Sequence, residues 1–206
     1  MSGKFISIEG IEGAGKSTQI SFIESLLTAR GLSVVVTREP GGTALSEQIR
    51  DLLLQPNEQG MAEDTELLLM FAARAEHIQK KIKPALARGD WVVCDRFVDA
   101  TFAYQGGGRG IAHERIQTIA DWTLAGLKTD LTLLFDLPVA VGQRRVSQRK
   151  QSKDRFELEQ TTFFENIRQC YLQRVEAEPE RIKLIDANQS IVHIQQQIRQ
   201  LVDHLF

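Results

Sequence analysis

Cysteine is scarce in this 206-residue chain, which contains only two of them. Cys94 and Cys170 form neither a CxxC pair nor the spacing of a metal site, so we expect both to be reduced thiols. The chain has no apolar segment of about 18 residues, the length that crosses a membrane, and the apolar run near Met1 is too short for a signal peptide. These absences predict a soluble, cytoplasmic protein with no membrane partner.

Neither sign of charge is in excess, since 25 lysines and arginines stand against 27 aspartates and glutamates, for a formal net charge of −2. Such a balance argues against wholesale binding to nucleic acid or to anionic membranes. A bound anion must therefore be held by a local arrangement of groups. No linker, repeat or low-complexity segment interrupts the sequence, and we expect one domain over residues 1–206.

Short, continuously apolar runs alternate with longer segments of helical periodicity. The runs that we predict to be strands are residues 4–9, 33–38, 91–95, 131–136 and 182–186. Their continuous hydrophobicity is typical of strands covered on both faces, and their alternation with helices predicts a parallel sheet. The expected fold is α/β, a five-stranded parallel sheet flanked by helices.

Four segments show the apolar periodicity of helices. They are residues 17–30, 44–54, 65–89 and 191–205. Ser190 is the expected N-cap of the last one. In the second, helical spacing places Leu45, Ile49, Leu52 and Leu53 on one face.

A glycine-rich stretch follows the first predicted strand and opens the first predicted helix. It matches G-x-x-x-x-G-K-[S/T] at every fixed position, in the strand–loop–helix context that a phosphate-binding loop requires. Its glycines let backbone N–H groups curl around a phosphate, Lys16 reaches the β- and γ-phosphates, and Ser17 ligates Mg²⁺. The residues of this predicted nucleoside triphosphate site are Gly10, Ile11, Glu12, Gly13, Ala14, Gly15, Lys16, Ser17 and Thr18.

Phosphate loops of this kind serve switches, motors and small-molecule kinases, so the loop alone does not define an activity. The N-K-x-D motif by which GTPase switches read their base is missing, and no predicted strand ends in the paired acids of a motor ATPase. A small-molecule kinase remains, and it must hold a second substrate.

Charged residues stand at the carboxyl ends of the second and third predicted strands, where ligands gather in open α/β sheets. They are the stretch "REPGGT" at 38–43 and Asp95-Arg96-Phe97. Phe71 and Arg74 share a face of the long helix, where a ring could stack on a nucleobase and a guanidinium could bond its edge. Taken singly, each feature has a structural alternative: a turn, a strand-end ion pair, a core ring or a surface charge.

The basic run "RRVSQRKQSKDR" occupies residues 144–155. A run of this kind is usually a solvated helix face. Beside a phosphate loop it is better explained as a mobile lid, about residues 143–160, that brings arginine to a transferring phosphoryl group. A guanidinium there can stabilise the negative charge that spreads over the phosphoryl oxygens.

Together these motifs resemble those of the thymidylate kinases (dTMP kinases), over residues 5–188. The stretches that carry the resemblance are "FISIEGIEGAGKST", "TREPGGT", "FAARAEH", "DRFVDATFAYQGGGRG", "LTLLFDLP" followed by "RR", and "DRFE". Of these, "REPGGT" with "AYQG" is specific to the family. The resemblance implies a P-loop kinase fold, a homodimer formed through helical faces, and phosphorylation of dTMP to dTDP by ATP and Mg²⁺, in dTTP biosynthesis.

The resemblance also assigns roles on the side of the phosphoryl acceptor. Phe71 is expected to stack on the thymine, Arg74 to bond its edge, and Tyr104 to pack against the sugar. The other residues expected to bind dTMP are Thr101 and Gln105 at the base, Arg38, Arg50 and Arg96 at the phosphate, and Glu12.

On the donor side, the resemblance implies that Arg145 or Arg144, with the loop at 187–189, faces the adenine of ATP. Asp95 is expected to orient Mg²⁺ through its waters, with Ser17 as the protein ligand. The side chains expected to act in catalysis are Arg155 and, as second choice, Arg149 from the lid, together with Lys16, Arg96, Glu12 and Asp95.

Glu12 is unusual, because a carboxylate pointed at the γ-phosphate of a dry site would repel it strongly. Thymidylate kinases have two arrangements, one with arginine in the phosphate loop and one with an acidic or neutral residue there and arginine in the lid. This chain resembles the second. Glu12 is then expected to face the 3′-hydroxyl of dTMP and the lid arginines. Phe97 departs from the family, which more often has Tyr or His there, and is expected to keep the ring while losing one hydrogen bond.

Two other functions stay open at this stage. A deoxynucleoside kinase would phosphorylate a hydroxyl group and would need a carboxylate base. A nucleotide-binding regulator would bind ATP without transfer, although the second-site residues would then have no role. For dTMP we assign no general base, because its phosphate is largely dianionic at neutral pH.

Overall fold

The computed structural model describes residues 3–56, 59–148 and 154–206, and its centre is a five-stranded sheet. The strands are β1 (Phe5–Glu9), β2 (Val34–Arg38), β3 (Trp91–Asp95), β4 (Leu131–Asp136) and β5 (Ile182–Asp186). Their order across the sheet is β2-β3-β1-β4-β5, and each neighbouring pair is parallel. The predicted strands and the α/β class are confirmed, with boundaries that differ by at most one residue.

Helices flank this sheet, as the continuously apolar strands require. They are α1 (Lys16–Thr28), α2 (Ala44–Leu54), α3 (Glu63–His77), α4 (Lys83–Ala87), α5 (Val98–Thr101), α6 (His113–Leu124), α7 (Val139–Ser147), α8 (Thr161–Ala177) and α9 (Ile191–Asp203). Two π-helical segments interrupt the pattern: Ile78–Ile82 joins α3 to α4, and Phe102–Gly108 continues α5. The long helix predicted over residues 65–89 is thus three consecutive helical pieces.

Two apolar cores cover the two faces of the sheet. Ile6 and Ile8 of β1 pack with buried residues of α1, α8 and α9, whereas Phe5 packs with buried residues of α3 and α6. This division follows from the two-residue period of a strand, which turns successive side chains to opposite faces.

Local predictions away from the site were mostly confirmed. Ser190 caps α9, because its side chain accepts a hydrogen bond from the His193 N–H group. Cys94 and Cys170 are buried and unpaired. Within the described ranges, no helix has the length and hydropathy needed to cross a membrane. The common apolar face predicted for α2 is split, since Leu53 is buried whereas Leu45 and Leu52 are about half exposed.

The carboxyl ends of β1, β2 and β3 meet at one edge of the sheet. Asp95 of β3 is in register with Arg38 of β2 and with Ile8 of β1. The loop after β1, the turn after β2 and the turn after β3 are therefore neighbours, since adjacent parallel strands end at the same edge. This edge carries the candidate site.

Candidate active site

The glycine-rich loop runs from β1 to the N-terminus of α1. Gly10 and Gly13 have φ angles of 134° and 79°, which L-residues with a side chain rarely adopt. A Cβ atom on Gly13 would overlap the backbone of Gly142 in α7, and one on Gly10 would overlap the carbonyl oxygen of Phe135. Only glycine fits at these two positions. The loop therefore places bare backbone at a helix N-terminus, an arrangement suited to an anion.

Lys16 lies folded back over this loop. Its Nζ atom donates hydrogen bonds to the carbonyl oxygens of Gly10 and Ile11, both at 3.0 Å. Burial lowers the pKa of Lys16 to about 8, with a further contribution from the positive charge of Arg96. The ammonium group is thus incompletely solvated and has no direct carboxylate partner among the hydrogen bonds of the described residues, so an incoming polyphosphate would stabilise its charge.

Glu12 turns away from the loop and bonds to side chains of the acceptor side. Its Oε1 atom accepts from Arg96 Nη2 at 2.7 Å, and its carboxylate accepts from the Tyr104 hydroxyl group at 2.7 and 2.9 Å. Burial acts to raise the pKa of Glu12, but the charges of Arg96 and Lys16 and the bond from Tyr104 outweigh it, so the pKa is lowered. The carboxylate is therefore ionised at neutral pH and fixed in direction.

Arg96 occupies the sharp turn that follows β3. Its φ angle is 67°, which is unusual for a residue with a side chain. The turn is held by a bond from the Arg96 N–H group to the Ile8 carbonyl and by one from the Phe97 N–H group to the Glu9 carboxylate, at 2.9 and 2.7 Å. The guanidinium also donates to the Gly10 carbonyl at 2.9 Å. Arg96 thereby links the glycine loop to the acceptor side.

Glu9 holds the turn after β3 in place, a role that sequence reasoning missed. It is fully buried at the end of β1, and its second carboxylate oxygen accepts from the Tyr171 hydroxyl group at 2.8 Å. Desolvation, followed by repulsion from Asp99, raises the pKa of Glu9 to about 8. A buried acid in an otherwise apolar strand was the signal, since such residues persist only when they are bonded.

A cavity opens beside Arg96, and its lining combines apolar with charged and polar side chains, as is typical of small-molecule sites. The residues expected to bind dTMP that line it are Glu12, Arg50, Arg74, Arg96, Thr101, Tyr104 and Gln105. Tyr104 and Gln105 reach it from the π-helical segment after α5. The cavity therefore collects side chains from α2, α3, the turn after β3 and the π-helical segment, which are distant from one another in sequence.

Arg74 is buried in the wall of this cavity and held on three sides. It donates to Glu39 Oε2 at 2.7 Å, to Thr101 Oγ1 at 2.9 Å and to the Phe97 carbonyl oxygen at 3.0 Å. The other oxygen of Glu39 bonds to His77 Nδ1 at 2.9 Å. These three bonds use three of the five guanidinium N–H groups, which leaves donor capacity for a ligand. Glu39 and His77 are further supports that sequence reasoning did not assign.

Phe71, which is expected to stack on the thymine, is not among the residues that line the cavity. Phe71 is only 3% exposed and packs into the core with Leu67 and Ile78, behind the Arg74 guanidinium. Met70 lines the cavity in its place. Met70 and Arg74 are four residues apart, and a helix brings positions i and i+4 onto one face. Met70 is therefore a further candidate for contact with the base, and the stacking role of Phe71 stays a prediction.

Arg38, Ser17 and Asp95 line a separate groove next to α1. Arg38 pairs with Glu47 at 2.9 Å and is not among the residues that line the cavity. Asp95 Oδ1 is buried and has no hydrogen-bond partner in the part of the chain that the structure describes. A buried carboxylate oxygen beside a serine hydroxyl fits the preference of Mg²⁺ and its water ligands for oxygen.

The arginines expected on the donor side and in the lid lie in different places. Arg145 donates to the carbonyl oxygens of Gly13 and Ala187, at 3.1 and 3.4 Å, and so joins the glycine loop to the loop after β5. Arg144 lines a different cavity, under α7. Arg149 lies outside the described residues.

The Arg155 side chain contacts α2 and α3. Its Nη1 atom pairs with Glu66 at 2.7 Å, and its Nε atom donates to the carbonyl oxygen of Leu53 at 2.8 Å. Its Nη2 atom is buried without a partner among the described residues. In this arrangement the guanidinium docks on α2 and α3, so action on a phosphoryl group would require it to leave Glu66.

Comparisons with known proteins agree with this geometry. The family model described as thymidylate kinase matches residues 8–198. The thymidylate kinase of Pseudomonas syringae pv. tomato is 53% identical over 205 residues, which cover 100% of this chain and 97% of that protein. The thymidylate kinase of Vesicomyosocius okutanii is 56% identical over 203 residues, 98% of each chain. The crystal structure of thymidylate kinase from Ehrlichia chaffeensis superposes with a TM-score of 0.79 at 31% identity, covering 98% of this chain and 99% of that one.

Proposed function

The chain belongs to the thymidylate kinase family, and we propose that it transfers the γ-phosphoryl group of ATP to dTMP, giving dTDP for dTTP synthesis. The observation that carries this proposal is the acceptor cavity, which Arg74 and Arg96 line together next to the glycine loop. Arg74 is the proposed reader of the base edge, and Arg96 is the proposed binder of the phosphate. Both substrates are anions. The enzyme must therefore bring two negatively charged groups into line and neutralise their repulsion.

Lys16, Arg96 and the backbone of the glycine loop supply the positive charge of the proposed site. Arg96 is anchored to the loop and to Glu12, so its position is set before the substrate arrives. Preorganised charge of this kind is worth more than mobile charge, because no reorganisation is needed as the reaction proceeds. Ser17 and Asp95 would hold Mg²⁺, directly and through water, and the bound ion would neutralise charge on the ATP phosphates.

Arg155 is the proposed catalytic arginine of a lid at about residues 143–160. Residues 143–147 of this segment belong to α7, and Asp154 and Phe156 line the acceptor cavity. The unpartnered Nη2 atom of Arg155 supports a second position, because a buried N–H group is favoured wherever it finds an acceptor. A negatively charged phosphoryl group would provide one. Arg149 remains the second choice.

A steady-state assay of ADP release tests the proposed reaction. The protein would be given ATP and Mg²⁺ with dTMP, dUMP, dCMP, dGMP, thymidine or no acceptor. Strong turnover with dTMP, with dUMP a weak second, is the expected result. Preference for thymidine would instead indicate a deoxynucleoside kinase, and ATP binding without any product would indicate a regulator.

A homodimer is the proposed assembly, and three neighbouring helices support it. α3 packs against both α2 and α6, and each of the three exposes large apolar side chains. These are Leu45 and Leu52 of α2, Leu68 of α3 and Trp122 of α6, the last of them 85% exposed. Large exposed apolar side chains on neighbouring helices are a feature of interfaces between protein chains. Light scattering should give twice the chain mass, and Trp122→Glu with Leu68→Glu should give a monomer; a wild-type monomer would contradict the proposal.

A further inference from the structure

Glu66 of α3 is a fully buried carboxylate that receives hydrogen bonds from two different parts of the site. Gln105 Nε2 donates to its Oε1 atom at 2.7 Å, from the π-helical segment. Arg155 Nη1 pairs with its Oε2 atom at 2.7 Å, and Arg109 Nε pairs with the same atom at 3.2 Å. One acid therefore connects a residue that lines the acceptor cavity to a residue of the proposed lid.

The bond to Glu66 fixes the direction of the Gln105 amide group. The two Glu66 oxygens face N–H groups of Arg155, Arg109 and Gln105, so Gln105 turns its NH₂ group toward Glu66. Because Gln105 lines the cavity, its amide oxygen is the group left for a ligand. A cavity that presents a fixed acceptor favours a base with a ring N–H donor.

Pyrimidines differ at this point in their chemistry. Thymine and uracil carry an N–H donor at N3, whereas cytosine has an unprotonated acceptor nitrogen there. A fixed amide oxygen attracts the first two and repels the third. A site built to pair with one polar group rejects an analogue that lacks it far better than a site that senses shape alone.

The same carboxylate also pairs with two arginines, Arg109 and Arg155. Arg109 bonds to Glu66 and, through Nη1, to Glu159 at 2.6 Å, while Arg155 bonds to Glu66 directly. Between them, Phe156 packs edge-to-face on Tyr104, with ring centroids 5.8 Å apart. The segment from residue 154 to residue 159 is thus held over the cavity by partners that converge on Glu66.

We propose that Glu66 is a positioning residue that fixes the direction of the Gln105 amide group for bases with an N3–H donor. The proposal deepens the proposed function and rests on it. Glu66 touches no substrate. It acts on base selection through Gln105.

Glu66→Gln tests the proposal, because a glutamine can accept from or donate to Gln105 and so no longer fixes its amide direction. The KM for dTMP, and the inhibition constants of dCMP and dUMP against dTMP, would be measured. The ratio of the dCMP inhibition constant to the dTMP KM should fall at least about tenfold. The same ratio for dUMP should stay within about twofold, because uracil keeps the N3–H group.

Glu159→Gln is the matched control. It makes the same chemical change to the other acid that pairs with Arg109, without touching Gln105 or Arg155, and should leave both ratios within about twofold of wild type. Equal changes in the dCMP ratio for the two variants, or no change for Glu66→Gln, would overturn the proposal. Absence of dTMP turnover in the wild-type protein would instead overturn the proposed function.

Gln105→Met keeps the proposal testable if Glu66→Gln does not fold. It removes the amide group while retaining side-chain length, and it should lower the dCMP ratio by a similar factor. In the Gln105→Met background, Glu66→Gln should change the ratio no further, since its effect on the base passes through Gln105. A wild-type ratio in Gln105→Met would overturn the proposal without any use of the Glu66 variant.

Discussion

The Tyr104 hydroxyl group donates to both carboxylate oxygens of Glu12, at 2.9 and 2.7 Å. With Arg96 on the same carboxylate, these bonds turn Glu12 toward the acceptor cavity and away from the glycine loop to which it belongs. A negative charge in a phosphate loop is tolerable in this direction, because its nearest partners are a guanidinium and a hydroxyl group. The expected orientation of Glu12 toward the acceptor therefore has a physical basis.

Glu12→Gln should impair use of dTMP far more than binding of ATP. The substitution keeps the shape but removes the charge that holds Arg96 and Tyr104 in place. A charge-assisted hydrogen bond contributes about 1.5–3 kcal/mol, so kcat/KM for dTMP should fall about 10- to 100-fold. Steady-state kinetics for dTMP and calorimetry for ATP would measure the two effects. Equal losses of both would show that Glu12 does not belong to the acceptor side.

Met70 and Phe71 should respond in opposite ways to truncation. Met70→Ala removes a wall of the acceptor cavity and should raise the KM for dTMP by about tenfold, with little change in stability. Phe71→Ala leaves a void in the core and should lower the free energy of unfolding by about 3–5 kcal/mol. Kinetics and urea denaturation of both variants would separate the two roles. If Phe71→Ala raised the KM for dTMP more than Met70→Ala at temperatures where both variants are folded, Phe71 would be supported as the stacking residue.

Binding of ATP should weaken as the pH rises above about 8, the pKa of Lys16 in the free protein. A bound polyphosphate favours the charged amine and raises its pKa, so binding takes up a proton in this range. Affinity should then fall by up to about tenfold per pH unit. Calorimetry in two buffers of different ionisation enthalpy would detect the proton that is taken up when ATP binds. Lys16→Met should bind more weakly but without this pH dependence, and a flat wild-type profile would refute the assignment.

Glu9→Gln should remove a pH-dependent loss of stability. The folded-state pKa of Glu9 lies near 8 and its ordinary value is 4.5, so between these values the folded protein keeps a proton that the unfolded chain releases. Stability from this group therefore falls as the pH rises from 5 to 8, by up to about 1.4 kcal/mol per pH unit. Glutamine keeps an acceptor for Phe97 and cannot ionise. Urea denaturation of both proteins at pH 5.5 and 7.5 should show a larger fall in the free energy of unfolding for the wild type than for Glu9→Gln. Equal falls in the two proteins would contradict this.

The sequence by itself determined the sheet, the glycine loop and most of the acceptor residues. Strand positions followed from continuous apolar runs, because the pattern of a buried strand is local. The loop Gly10–Ser17 followed from spacing, because its function depends on consecutive backbone groups. Thr101, Tyr104 and Gln105 followed from a family resemblance and line the cavity.

Tertiary structure alone decided which neighbours serve each functional side chain. Met70 rather than Phe71 faces the cavity because the rotation of α3 is set by packing of Leu67 and Phe71 in the core. The roles of Glu9, Glu39 and Glu66 are apparent only in the folded structure, because their hydrogen-bond partners come from elements far apart in sequence. Long-range contacts of this kind depend on the relative placement of whole elements, about which the local periodicity of a sequence carries no information.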